Sequence, residues 1–200
     1  GSAQADNDRW PENPVGGAVF GYNDEEVRIW LADWDRFGAA IMVGQGWGGE
    51  EKTTSLKTVE ARVVAWRPRV EPDFQPLPFS MVAGADAYRE IEHGLGQVPG
   101  RLQVVASPKV GANAGYYFES QGMSQHSAYL TYWEYGGVLT AVNATHIRLW
   151  VPSPDPDAST YPSNDRGYSV YVYDGWGRNR DYAIEKIADI RVRAWRNNPD

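Results

Sequence analysis

One segment occurs twice in the chain. Residues 16–31 read GGAVFGYNDEEVRIWL and residues 136–151 read GGVLTAVNATHIRLWV, so a Gly pair and a Trp recur at an offset of 120 (136 − 16). The match resumes further on at an offset of 129 (172 − 43): VGQGWGG at 43–49 answers VYDGWGR at 172–178, and ARVVAWR at 61–67 answers IRVRAWR at 190–196. The second copy absorbs the difference in the longer stretch PSPDPDASTYPSNDRG, where the first has only ADWDRFG. An insertion that leaves both flanks intact marks a surface loop. Each copy therefore reads as strand, loop, strand, loop, strand, and the chain as a repeated β unit.

The organisation follows. A first, incomplete copy spans residues 10–68, a proline-rich linker 69–80, and a complete unit 81–196, because 81–130 has no counterpart before the first copy. The segment PRVEPDFQPLPFS at 68–80 holds four prolines, which remove backbone donors and favour extended, exposed chain. Alternation predicts strands. In Val27-Arg28-Ile29-Trp30-Leu31 and Ile147-Arg148-Leu149-Trp150-Val151 the aliphatics take one face and Arg and Trp the other. Ile190, Val192 and Ala194 likewise oppose Arg191, Arg193 and Trp195, and Arg62, Val64 and Trp66 repeat the alternation in the first copy. Further strands are predicted at 87–92, 101–107, 115–120, 127–133 and 168–173. One helical turn is predicted over 181–188. The fold class expected is all-β, an antiparallel β-sandwich with an internally repeated three-strand unit.

Composition narrows the function. With 42% hydrophobic and 22% charged residues the chain is globular, and its net charge of −7 argues against nucleic acid or an anionic membrane as partner. No apolar run reaches the length of a membrane span. Cysteine is absent, which excludes disulfides, Cys-ligated zinc and a thiol nucleophile. No signal peptide is expected within these residues, although Ala3-Gln4-Ala5 has the small-residue character of a cleavage site. A secreted, extracellular or cell-surface location is expected.

Residues 88–106, with His93-Gly-Leu-Gly and Pro99 between two apolar strands, are followed by a strand ending at Trp150 and a closing Val-x-Val-x-Ala-Trp strand. This order resembles the H-type lectin-like β-sandwich, also found in phage and bacterial surface fibres. The resemblance covers about 81–196. It implies a six-stranded antiparallel sandwich, trimeric or hexameric association, and sugar sites near subunit boundaries.

The two Gly-Trp-Gly segments are the leading site candidates. Glycine on both sides turns the backbone and uncovers an indole, whose flat face suits the C–H face of a sugar ring. Trp176, with Tyr173, Asp174, Arg178, Asn179 and Arg180 around it, forms one candidate; Trp47, with Gln45, forms the other. An alternative is that each Trp caps the end of the sandwich. The Arg/Trp sides of the strands offer a second platform: Arg28, Trp30, Arg62, Trp66, Arg148, Trp150, Arg191, Arg193 and Trp195 project to one side if the strands pair as neighbours. Asp155, Asp157 and Asp165 are a weak candidate for Ca²⁺, as are Asp33 and Asp35; a solvated acidic loop is the alternative, and no cofactor is otherwise expected. Ser163-Asn-Asp165-Arg-Gly167 resembles an Asp-box turn, and Asn143-Ala-Thr145 is a glycosylation sequon. His93, His126 and His146 show no metal spacing, and no catalytic motif occurs. Glu90, Glu92, Glu119 and Glu134 leave glycoside hydrolysis open. The expected function is non-catalytic carbohydrate binding by a homo-oligomeric adhesion or matrix module. The alternatives are a self-assembling fibre or surface-layer module and, third, a polysaccharide-acting enzyme.

Overall fold

The computed structural model describes residues 15–31, 38–43, 54–65, 71–120, 125–126, 135–152, 167–172 and 183–197. All regular structure in them is β. The first copy contains β1 (Val15–Gly16), β2 (Ala18–Tyr22), β3 (Val27–Leu31), β4 (Gly38–Ala39), β5 (Ile41–Val43) and β6 (Thr54–Leu56). The intervening chain forms β7 (Phe79–Val82), β8 (Tyr88–Glu92), β9 (Arg101–Pro108), β10 (Tyr117–Ser120) and β11 (Gln125–His126). The second copy contains β12 (Tyr135–Gly136), β13 (Leu139–Val142), β14 (His146–Trp150), β15 (Gly167–Tyr168), β16 (Val170–Val172), β17 (Ala183–Glu185) and β18 (Ile187–Trp195).

The repeat holds at the level of single residue pairs. In the first hairpin Val19 faces Trp30, and Tyr22 faces Val27; in the second Leu139 faces Trp150, and Val142 faces Ile147. Both turns are built on an asparagine. Asn23 Oδ1 accepts from the amides of Glu25 and Glu26, both at 2.8 Å, while Asn143 Oδ1 accepts from those of Thr145 and His146, at 2.8 and 2.7 Å. This Asx geometry closes a tight turn without help from tertiary contacts. Ahead of each hairpin, Gly17 and Gly137 take φ of 112° and 115°, values only glycine adopts readily. Parallel pairing follows in both copies, Val15 with Gly38 and Tyr135 with Gly167, and then an antiparallel pair, Ile41 with Leu56 and Val170 with Glu185.

The copies part at the third segment. In the second, β18 runs through the middle of a sheet between β9 and β7. In the first, residues 61–65 are exposed and carry no strand pairing. The partners of β18 come from 79–108, the part of the sequence that the first copy does not repeat. The helical turn expected over 181–188 is replaced by β17 and the start of β18, because the register of the repeat outweighs a short local helical preference.

A six-stranded sheet in the order β3-β2-β10-β9-β18-β7 forms one layer. The sheet β13-β14-β8 and the pair β16-β17 stand across from it. Between the layers lie Met81, Val104, Ala106, Phe118, Ile190 and Val192 from one side and Ile147, Leu149, Val151 and Val172 from the other, all buried. Each such side chain stabilises the fold by about 1.5–3 kcal/mol. The result is an all-β, mainly antiparallel sandwich. Its larger sheet crosses the boundary expected between the two units, since β2 pairs with β10. Phe74, within the proline-rich stretch, also exchanges two backbone hydrogen bonds with Ala194, at 3.1 and 3.0 Å.

This pairing turns the first hairpin over. Gly21 lies opposite Phe118, and a Cβ there would stand 3.0 Å from the phenyl ring. Alternation then carries Trp30 inward, where it is 4% exposed and stacks on Phe118 at 5.6 Å. Val27, Ile29 and Leu31 point to solvent. In the second hairpin their counterparts Ile147, Leu149 and Val151 are buried and Trp150 is on the outside. One sequence pattern, in one register, therefore buries opposite faces in its two occurrences.

Candidate functional site

Trp176, Tyr173, Asp174, Arg178, Asn179 and Arg180, together with Trp47 and Gln45, lie outside the described residues, as do Asp155, Asp157, Asp165, Asp33 and Asp35. The attachment points of both Gly-Trp-Gly segments are described. Val43 pairs with Thr54 and Val172 with Ala183, so each segment joins two antiparallel strands. Among the described residues no group of three His, Asp or Glu is placed to hold a metal.

The Arg/Trp sides do not form one platform. That expectation required neighbouring strands, and β3, β14 and β18 belong to different sheets or are separated within one. Arg28 and Trp30 face the core: the Arg28 guanidinium lies 4.0 Å from the centroid of the Tyr116 ring and donates to the Asn113 side chain at 2.9 Å. Arg62 is exposed on a segment without pairing, and Trp66 lies outside the described residues. Arg191, Arg193 and Trp195 sit on the outer face of the larger sheet, opposite in direction to the buried Ile190, Val192 and Ala194. Arg148 and Trp150 sit on the outer face of the smaller sheet.

That smaller face brings together residues that the sequence reading treated separately. Register places Leu139, Trp150 and Tyr88 in one rung across three strands, and Ala141, Arg148 and Glu90 in the next. Tyr88 is 49% exposed and its ring lies 5.6 Å from that of Trp150, inclined at 45°. Leu139 continues the rung, 39% exposed. Beside it, Glu90 is held from three directions. It accepts from the Tyr88 hydroxyl at 2.9 Å and from Nε of Arg148, and the His146 ring stands 3.9 Å away. The Arg148 hydrogen bond, and then that of Tyr88, holds the Glu90 carboxyl below the usual carboxylate range. The same bond to Glu90 pushes the Tyr88 hydroxyl up. The rung thus offers an aromatic and aliphatic strip, edged by a fixed carboxylate, a guanidinium and an imidazole. Such a surface gives ring stacking alongside donors and acceptors of set direction.

His93 serves the scaffold. It is buried, accepts from the amide of Leu95 at 3.2 Å through Nδ1 and bonds the carbonyl of Asn143 at 3.1 Å through Nε2. The first bond fixes the neutral tautomer with the proton on Nε2, which ties the His93-Gly-Leu-Gly turn to the β13–β14 hairpin. Of the carboxylates named for hydrolysis, Glu90 and Glu92 lie two residues apart on the exposed face of β8, with Glu90 engaged as above, and Glu119, on β10 in the other sheet, accepts from Gln103 at 2.8 Å. Glu134 lies outside the described residues. Sequence reasoning missed Tyr88 as a site residue. Its only signal is the alternation Tyr88-x-Glu90, which gains meaning once β8 is known to pair with β14 in that register. No protein-family model matches the chain, and no curated protein matches it.

Proposed function

We propose that this protein is a non-catalytic carbohydrate-binding module, with the Tyr88–Trp150–Leu139 rung as its stacking strip and Glu90, Arg148 and His146 as hydrogen-bonding groups. The carrying observation is an aromatic pair on the outer face, Tyr88 exposed and Trp150 half-buried, directly beside a carboxylate and guanidinium already fixed in place, so a polyol binds without reordering them. An extracellular or surface location and a glycan partner belong to the same reading. Glycan-array screening of the full chain identifies the ligand. Trp150→Ala and Tyr88→Ala are then expected to lose affinity for it by at least about tenfold, the effect of removing one aromatic contact, with little change in melting temperature. Unchanged affinity in both variants overturns the assignment.

A second reading, self-assembly, is favoured by β3. Among the described residues it is an edge strand, with Val27, Ile29 and Leu31 exposed, and apolar edges pair with other chains unless blocked. Sedimentation over a range of concentrations tests it: association abolished by Ile29→Lys supports a self-assembling module, and a monomer at all concentrations removes the reading.

A further inference from the structure

The outer face of the larger sheet is chemically unlike the rest of this acidic chain. Register sets Arg193 opposite Gln103, Trp195 opposite Arg101 and Arg191 opposite Val105. Tyr117 pairs with Tyr22 on the next two strands, their ring centroids 6.0 Å apart. Two of the three arginines are seated on these aromatics. The Arg191 guanidinium lies 4.5 Å from the Tyr117 centroid, and that of Arg101 lies 4.8 Å from Trp195. Arg193 donates from Nε to the Gln75 side chain at 3.2 Å. Gln103 joins the cluster together, donating to Glu119 at 2.8 Å and to the Tyr22 hydroxyl at 3.4 Å.

Among the described residues no carboxylate lies within ion-pair distance of Arg101, Arg191 or Arg193. The two acids at the margin are engaged elsewhere: Asp189 with Lys109 at 3.1 Å and Ser80 at 2.8 Å, and Asp73 with the amide of Arg196 at 2.8 Å. Asp189 lies on the same face with Lys109 as its partner, so three guanidinium groups and Lys109 against the carboxylates of Glu119 and Asp189 leave a locally cationic patch on a chain of net charge −7. Among the described residues none of the three arginines is in an ion pair, and Arg191 acts electrostatically on Asp189, two positions away on the same face. With two planted on aromatic rings and Arg193 bonded to Gln75, they have already lost rotamer freedom, so their forks meet an oxyanion at low entropic cost.

We infer that this face binds an acidic polysaccharide, with Arg191, Arg193 and Arg101 taking its oxyanions and Tyr22, Gln103 and Glu119 its hydroxyls. The oxyanion is a uronate carboxylate or a sulfate ester, both of which match a guanidinium fork. A sugar polymer suits the mixture of donors and acceptors better than nucleic acid does, since Glu119 and the overall negative charge oppose a dense polyphosphate. This site lies on the opposite layer from the Tyr88–Trp150 rung and takes a different class of ligand.

The test is affinity electrophoresis and calorimetry of the full chain against polygalacturonate, dextran sulfate, neutral dextran and a single-stranded oligonucleotide. Polygalacturonate or dextran sulfate is expected to bind, and the tighter of the two identifies the anion. The double change Arg191→Gln/Arg193→Gln should weaken that binding at least about tenfold, the loss of a charge-assisted hydrogen bond. Arg193→Lys, which keeps the charge but not the fork, should weaken it by a smaller factor, while Arg62→Gln, which removes an exposed positive charge outside both sites, leaves it unchanged. Circular dichroism confirms that each variant is folded, and the exposed Arg101→Gln substitutes for the double variant if that one is not. The inference is overturned if neither anionic polymer binds, if the oligonucleotide binds equally well, if neutral dextran binds equally well and loses affinity equally in the arginine variants, or if the arginine variants bind the anionic polymer as the parent does. Loss of neutral-glycan binding in Trp150→Ala bears on the other face alone, so the two assignments fail separately.

Discussion

Trp30 and Trp150 occupy the same position of the repeat and meet opposite surroundings. Trp30 is 4% exposed and stacked on Phe118, so Trp30→Ala is expected to cost about 3–5 kcal/mol, a fall in melting temperature on the order of 10 °C for a chain of this size. Trp150→Ala, on the outer face beside Tyr88, should cost well under that and act on ligand affinity; a comparable loss of stability would return Trp150 to a purely structural role. Glu90 gives a second prediction at this scale. Its carboxyl is held below the usual range by Arg148 and then Tyr88. A depressed folded-state value means that its contribution is complete above the ordinary glutamate value and disappears only as pH falls through the lowered one. Ligand binding should therefore persist below about pH 4, where an ordinary glutamate protonates. Arg148→Ala should move the acid limb of the binding profile upward. A profile that does not move would separate Glu90 from Arg148 in function. The sequence shows that Arg and Trp share a side of each strand; it does not show which side a sheet turns to the core.

The hairpins carry most of what was legible beforehand. The Gly pair, the asparagine turn and the Trp recur at one spacing, and the pairing follows that spacing residue for residue because the Asx turn and the positive-φ glycine act locally. Where each hairpin docks is not local. It depends on Gly21 finding Phe118, nearly a hundred residues away, and no alternation within either segment encodes that choice. Gly21→Val should disrupt the contact, since its first side-chain carbon already meets the ring at 3.0 Å. A loss of about 1–3 kcal/mol is expected from overpacking, read by denaturant unfolding. The matching change Ala141→Val, on an exposed strand face of the second hairpin, should be close to neutral. Equal losses would mean that the two hairpins are anchored alike. The third segments show the same dependence: 187–195 becomes a strand because β9 runs along it and β7 flanks its start, while 61–65, with a kindred pattern, has no strand partner among the described residues. The site was less legible still, because the rung of Leu139, Trp150 and Tyr88 draws on strands about fifty residues apart.

At the scale of the whole molecule the question is whether the first copy is an attachment or part of the fold. The sequence reading favoured a self-sufficient unit at 81–196, yet β2 closes the exposed side of β10, and the core between the layers includes Trp30 alongside side chains from the second copy. Removing residues 1–68 would strip Phe118 of its stacking partner, remove the Arg28 guanidinium from Tyr116 and leave β10 as a bare edge. Two large apolar side chains at about 1.5–3 kcal/mol each are a serious fraction of a total stability of about 5–15 kcal/mol, and a bare edge beside them invites aggregation. Residues 69–200 expressed alone should therefore melt well below the full chain or fail to remain monomeric. Calorimetry of the two proteins side by side decides the matter. If the shorter one unfolds cooperatively at the temperature of the full chain, the hairpin is a bystander and the repeat is two units joined by a strand pairing that contributes little. If it does not, the first copy supplies the two strands, β2 and β3, that complete the larger sheet of the second.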